Sequence, residues 1–161
     1  MKKILLFSLF LGAAFQSQAA LVTTSQAKAC GLLSEIGLKT RGWKNYYGNE
    51  YGCSSSYKDI GSGVIPNNIA FYVEGNRSNA RQVKLVININ RKSGASSAHN
   101  ELLKASKVLS KKATGSELPK DIIKAIQSGT SLTKKVANSN VKVERINWPN
   151  GNGYEVKVIM K

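Results

Sequence analysis

Between residues 69 and 90 the chain alternates. Ile69, Phe71 and Val73 are interleaved with Ala70, Tyr72 and Glu74. Val83, Leu85, Ile87 and Ile89 are interleaved with Lys84, Val86, Asn88 and Asn90. A period of two sends successive side chains to opposite faces, so the pattern predicts two half-buried strands. The polar residues 75–80 between them are turn-like, and the pair is expected to form an antiparallel hairpin. The pattern returns near the C-terminus. Val141 and Val143 begin a strand, Trp148-Pro149-Asn150-Gly151-Asn152-Gly153 supplies a turn, and Tyr154, Val156, Val158 and Met160 alternate with Glu155, Lys157 and Ile159.

Elsewhere the period is helical. Ala98, Leu102, Ala105 and Leu109 make one apolar stripe within a helix expected over about 98–113, with Ser97 as its cap and Gly115 as its stop. A shorter helix over 119–127 has Pro119 in its first turn, Ile122, Ile123 and Ile126 for burial, and Gly129 after it. Near the start, Thr23 and Gln26 have capping-box spacing at the head of a helix over 24–36. That helix puts Ala29, Cys30, Leu33 and Ile36 on one face and stops at Gly37. Residues 53–60 are expected to be a short polar strand, and residues 39–52 a glycine- and aromatic-rich connection.

The order α-(β)-ββ-αα-ββ predicts a single α+β domain. Its antiparallel sheet has 4–5 strands, built from two hairpins, with the helices packed on one face. A strand running to the last residues makes even a short C-terminal truncation damaging.

The first residues fall outside this scheme. Lys2 and Lys3, the apolar run 4–15 and the small residues Ser17 and Ala19 have the layout of a secretory signal peptide over 1–19. The run is too short to span a bilayer. Cys30 lies too far downstream for a lipid-modified N-terminus, and no later stretch is long and apolar enough for a membrane span. The mature chain, 20–161, is then expected in a bacterial periplasm or outside the cell. In such an oxidising compartment its two cysteines, Cys30 and Cys53, are expected to pair.

Charge changes the picture further. Without Lys2 and Lys3, 22 basic residues face nine acidic ones, a net charge of +13. Such a field attracts polyanions: nucleic acid, anionic headgroups, lipopolysaccharide or acidic proteins. It argues against an inhibitor of cationic lysozymes or nucleases, because like charges suppress encounter. Lys104, Lys107 and Lys111 follow helical spacing opposite the apolar stripe. Lys84, Lys142 and Lys157 are expected on the sheet face away from the helices, interleaved with Tyr72, Asn88 and Asn90.

The densest chemistry is in RGWKNYYGNEYGC, residues 41–53. Trp43, Lys44, Tyr46, Tyr47 and Tyr51, with Tyr57 just beyond in a candidate binding loop over 41–57, combine flat rings with polar edges and a cation, a combination that stacks on sugars, bases or peptides. The opposing explanation is a disulfide-closed loop that packs its own rings for lack of aliphatic residues. The expected split is Trp43 mostly packed and some of Tyr46, Tyr47 and Tyr51 facing water.

Catalytic patterns are sparse. His99 is the only histidine and is expected at a helix start as an exposed or capping residue. With two paired cysteines it leaves no metal ligand set. No nucleophile elbow or phosphate-cradling glycine loop appears, and no cofactor is expected. The expectation is an exported, non-enzymatic binding protein. Its partner is an anionic polymer or carries an acidic patch, such as a cell-envelope polymer or a component of a secretion or surface system. Peripheral contact with the envelope is compatible with it, whereas export disfavours an intracellular nucleic-acid role. Two alternatives stand beside it. One is a small hydrolase of glycans or nucleic acid using Glu50, Asp59 or His99. The other is a neutralising partner of a secreted toxin.

Overall fold

A computed structural model describes residues 20–161; the expected signal peptide lies outside the described residues. The chain forms helix α1 (Gln26–Gly31) and strands β1 (Lys44–Tyr47), β2 (Glu50–Ser54), β3 (Lys58–Ile60), β4 (Asn67–Gly75) and β5 (Ala80–Ile89). Helices α2 (Ala95–Thr114) and α3 (Lys120–Ser128) follow, then β6 (Leu132–Val136), β7 (Ser139–Asn147) and β8 (Tyr154–Met160). The strand pairings are antiparallel, and the sheet runs β1-β2-β4-β5-β8-β7-β6, with β3 also paired to β4. The fold is α+β, as expected, but the sheet has eight strands rather than four or five.

The two alternating hairpins form the centre. Phe71, Leu85 and Val158 stand side by side across β4, β5 and β8, with Val73, Val83 and Met160 as the next row. These side chains are fully buried and belong to one core with Leu102 and Leu109 of α2 and Ile122 and Ile126 of α3. The helices cover this face, and the alternating polar positions stand on the other, which is open to water.

The extra strands are edge elements. Residues 44–47 and 50–54 form a hairpin within the stretch expected to be a connection. Its turn uses Gly48 at φ 52 and is closed by Asn45 Nδ2 donating to the Gly48 carbonyl (2.9 Å). The expected strand over 53–60 is divided between β2 and β3, which run nearly end to end along β4. Ser54 pairs with Tyr72, the Ser55 amide donates to Phe71 O, and Lys58 resumes opposite Ile69. β6 has no clean alternation because it is the outermost strand, and Lys134 on it pairs with Asp121 of α3 (2.6 Å).

Helix boundaries differ from expectation in three places. The first helix covers only Gln26–Gly31, followed by a separate 3-10 turn at Ser34–Ile36. The Thr23–Gln26 capping box does not form: Ser25 precedes the helix, and Gln26 Nε2 donates to Arg77 O instead. The break lets Leu32, Leu33 and Leu38 all reach the core. α2 starts at Ala95 behind Gly94, so Ser97 lies inside its first turn. Pro119 stands just before α3 rather than within it. Gly37, Gly115 and Gly129 end their helical segments in the left-handed region, as their positions predict.

Candidate ligand-binding face

Cys30 and Cys53 form a disulfide with Cα atoms 6.1 Å apart. It ties α1 to β2 on the helix side of the sheet, so residues alternating with Cys53 emerge on the open face. Lys44 stands opposite Gly52, and the ring of Tyr46 lies against Gly52. A Cβ at Gly52 would collide with the Val73 carbonyl and lie 2.8 Å from Tyr46 Cε2, so only glycine lets the ring sit this low. The Lys44 ammonium is 5.3 Å from the centre of the Tyr46 ring.

The β2–β4 register brings Tyr72 to the same place, directly across from Ser54. The Tyr72 hydroxyl donates to that of Tyr57 (3.2 Å), which projects from the break between β2 and β3. Lys84 lies on the other side of Tyr72, 5.2 Å from its ring centre, and is paired with Glu74 (2.5 Å). Burial, then the hydrogen bond and the charge of Tyr57, push the Tyr72 phenol above the ordinary tyrosine range. Tyr46, Glu50, Ser54, Tyr72 and Glu74 are among the residues lining a cavity of about 340 Å³ here. Rings, hydroxyls and carboxylates share its lining, and two lysines flank it. Such a site can stack a flat ring and hydrogen-bond its edge.

Of the residues singled out from sequence, Lys44, Tyr46 and Tyr57 belong to this cluster. Tyr47 is 85% exposed at the sheet edge. Tyr51 alternates to the side of Cys53 and is half-buried, although it too contributes to the cavity lining. Trp43 packs against the core, with a buried Nε1 that has no partner. Tyr57 and Tyr72 complete the cluster from outside the 41–53 stretch. The sequence signal for Tyr72 is its place on the polar side of the 69–74 alternation; nothing local pairs it with Tyr46.

The lysines divide into two kinds. Lys84, Lys142 and Lys157 do lie on the open face, and each is paired with a carboxylate: Glu74, Glu144 and Glu155. Glu144 also stands opposite Lys157 across β7 and β8. The hydrogen bond from Lys142, helped by the nearby Lys157 and Lys84, holds the Glu144 carboxyl below the usual range. This part of the sheet is therefore a near-neutral lattice rather than a basic surface. On α2, Lys104 pairs with Glu101, whereas Lys107 and Lys111 have no carboxylate partner among the described residues. They edge a cavity of about 410 Å³ that Val108, Leu118 and Ile123 also line.

No family model, no curated protein and no solved structure matches this chain.

Glu50, Asp59 and His99 stand on different elements, β2, β3 and α2. The 340 Å³ cavity contains Glu50 but neither of the others. His99 is buried, contrary to the expectation of an exposed or capping residue. One ring nitrogen, Nδ1, is 2.8 Å from Gln127 O and so carries the proton it donates; Nε2 then accepts from the Tyr154 hydroxyl (3.2 Å). Gly129 at φ 63 lies against this ring, and Arg145 stacks on Tyr154 at 3.6 Å. The histidine thus joins α2, the end of α3 and β8. Among the described residues no cluster of histidine, cysteine and carboxylates is placed to hold a metal ion. None of the described helices is long and apolar enough to cross a membrane.

Proposed function

We propose that this is an exported, non-enzymatic binding protein that takes an anionic cell-envelope polymer on the tyrosine end of its open sheet face. The observation that carries the reading is the meeting of Tyr46, Tyr57 and Tyr72 beside Lys44, which has no carboxylate partner among the described residues, whereas Lys84 is held by Glu74. Tyr46 and Tyr57 remain 49% and 60% exposed. Exposed rings on a fixed backbone lose little entropy when a sugar or base stacks on them. The rest of the charge supplies attraction at a distance. Six of the 22 cations in residues 20–161 are paired, and the other sixteen have no carboxylate partner among the described residues. Localisation outside the cytoplasm fits the disulfide.

Heparin serves as a stand-in acidic glycan for the test. Binding is expected to weaken steeply between low and high salt, because exposed charges are screened within about 10 Å at 0.1 M. Tyr46→Ala with Tyr57→Ala is expected to weaken binding by roughly tenfold, in the range for lost stacking contacts. The melting temperature should move little, since both rings are exposed. Unchanged binding by the double variant, or binding indifferent to salt, would sink the proposal. Capture from envelope extract at the two salt levels then identifies the natural polymer.

A further inference from the structure

At the other end of β4 from the tyrosine cavity, residues 61–66 join β3 to β4. The loop presents Val64 fully exposed and Ile65 64% exposed. It is not slack. Arg91 Nη1 donates to Ser62 O (3.0 Å), and Asn90 Nδ2 donates to Pro66 O (2.6 Å). Just inside, buried Asn67 accepts from the Arg91 amide (2.8 Å) and donates to Arg91 O (3.1 Å). Two branched aliphatic side chains are therefore held out into water by a braced backbone.

The loops around them carry one sign of charge. Residues 61–66, 90–94 and 148–153 meet at this end of the sheet, and they include Arg91 and Lys92 but no acidic residue. Lys92 Nζ donates to Gly151 O (2.9 Å), tying the β7–β8 turn to the start of α2. Aliphatic tips beside flanking cations suit an interface that is apolar beneath and phosphate-rich above.

We infer that this end is an anchor for an anionic lipid surface, with Val64 and Ile65 entering the headgroup boundary and Arg91 and Lys92 meeting phosphates. The inference rests on the reading of an envelope protein with anionic partners and adds a second, separate site. β4 spans about 27 Å from Asn67 to Gly75 at roughly 3.4 Å per residue. A molecule seated on its Val64 end would hold the tyrosine cavity away from the bilayer.

The test uses protein produced from its full reading frame in an exporting host. It is sedimented with vesicles of phosphatidylcholine, alone or mixed with phosphatidylglycerol. The wild type is expected to bind only the mixed vesicles. Val64→Ser with Ile65→Ser should lose roughly tenfold in vesicle affinity, keep its melting temperature and keep its heparin binding. Lys92→Gln should weaken vesicle binding in low salt alone. Full vesicle affinity in the serine variant, or no wild-type binding to mixed vesicles, would overturn the anchor. If heparin still binds in either of those cases, the polymer reading survives. Loss of heparin binding in the tyrosine variant with vesicle binding intact would show the two sites to be independent, as the anchor requires.

Discussion

Ser106 is buried in α2, and its hydroxyl has no hydrogen-bond partner. Four residues on, Ser110 Oγ donates to Ser116 O at 2.8 Å. The same substitution should therefore have opposite effects at the two positions. Ser106→Ala removes an unsatisfied polar group and gains helix propensity, together worth about 1 kcal/mol. The melting temperature should rise by about 2–4 °C. Ser110→Ala gives up this bond and should lower it by a similar amount. Thermal unfolding distinguishes the two, and a destabilised Ser106→Ala would mean that the hydroxyl has a partner. Tyr72 makes a prediction in pH. Its phenol is held protonated in the fold, above its ordinary value, while in the unfolded chain it ionises at about 10. As pH rises past that value the unfolded state gives up a proton that the folded state keeps, so stability falls. Tyr72→Phe should remove this part of the alkaline loss, visible as a flatter dependence of denaturant midpoint on pH. An unchanged slope would mean that Tyr72 ionises normally.

At the scale of elements, the disulfide closes a loop with a sequence separation of 23. Chain entropy values it at about 3 kcal/mol. Cys30→Ala with Cys53→Ala should lose about that much, and the β1–β2 hairpin should become the first site of proteolysis. Equal protection of residues 41–57 with and without the bridge would show that strand pairing alone holds them. The same hairpin marks where the sequence stops being legible. β4, β5, β7 and β8 stand out because each buries one face, and burial demands alternation around Phe71, Leu85, Val143 and Val156. β1 has no buried residue at all, and in β6 only Val136 is buried. These strands exist through backbone pairing with a neighbour, which leaves no hydrophobic period to read. The candidate site is legible to the same extent. Composition marks Lys44 and Tyr46, but the partnership with Tyr72 depends on the β2–β4 register. The lysines of the open face show the converse. Their side of the sheet follows from alternation, while their neutralisation by Glu74, Glu144 and Glu155 follows only from pairing.

For the whole molecule, the sixteen cations without carboxylate partners repel one another across a surface with few carboxylates to offset them. Salt screens that repulsion. The melting temperature should therefore rise by a few degrees between low ionic strength and about 0.3 M salt, as screening recovers roughly 1 kcal/mol. A fall would mean that the six ion pairs outweigh the net field. The sheet order has a different consequence, in time rather than energy. β8 lies between β5 and β7 although it follows both in the chain. Ile87 of β5 meets Val156 of β8 across a connection that contains both helices α2 and α3 and the β6–β7 hairpin. Without β8 the β1–β5 layer and the β6–β7 hairpin would be two separate sheets, each with an unpaired edge. Closing so long a loop is entropically costly and characteristically slow. The molecule thus has a late clasp. Without it the sheet is two pieces, each offering a bare edge to any other chain that comes near; with it they are one continuous sheet whose edges are the short outer strands β1, β3 and β6.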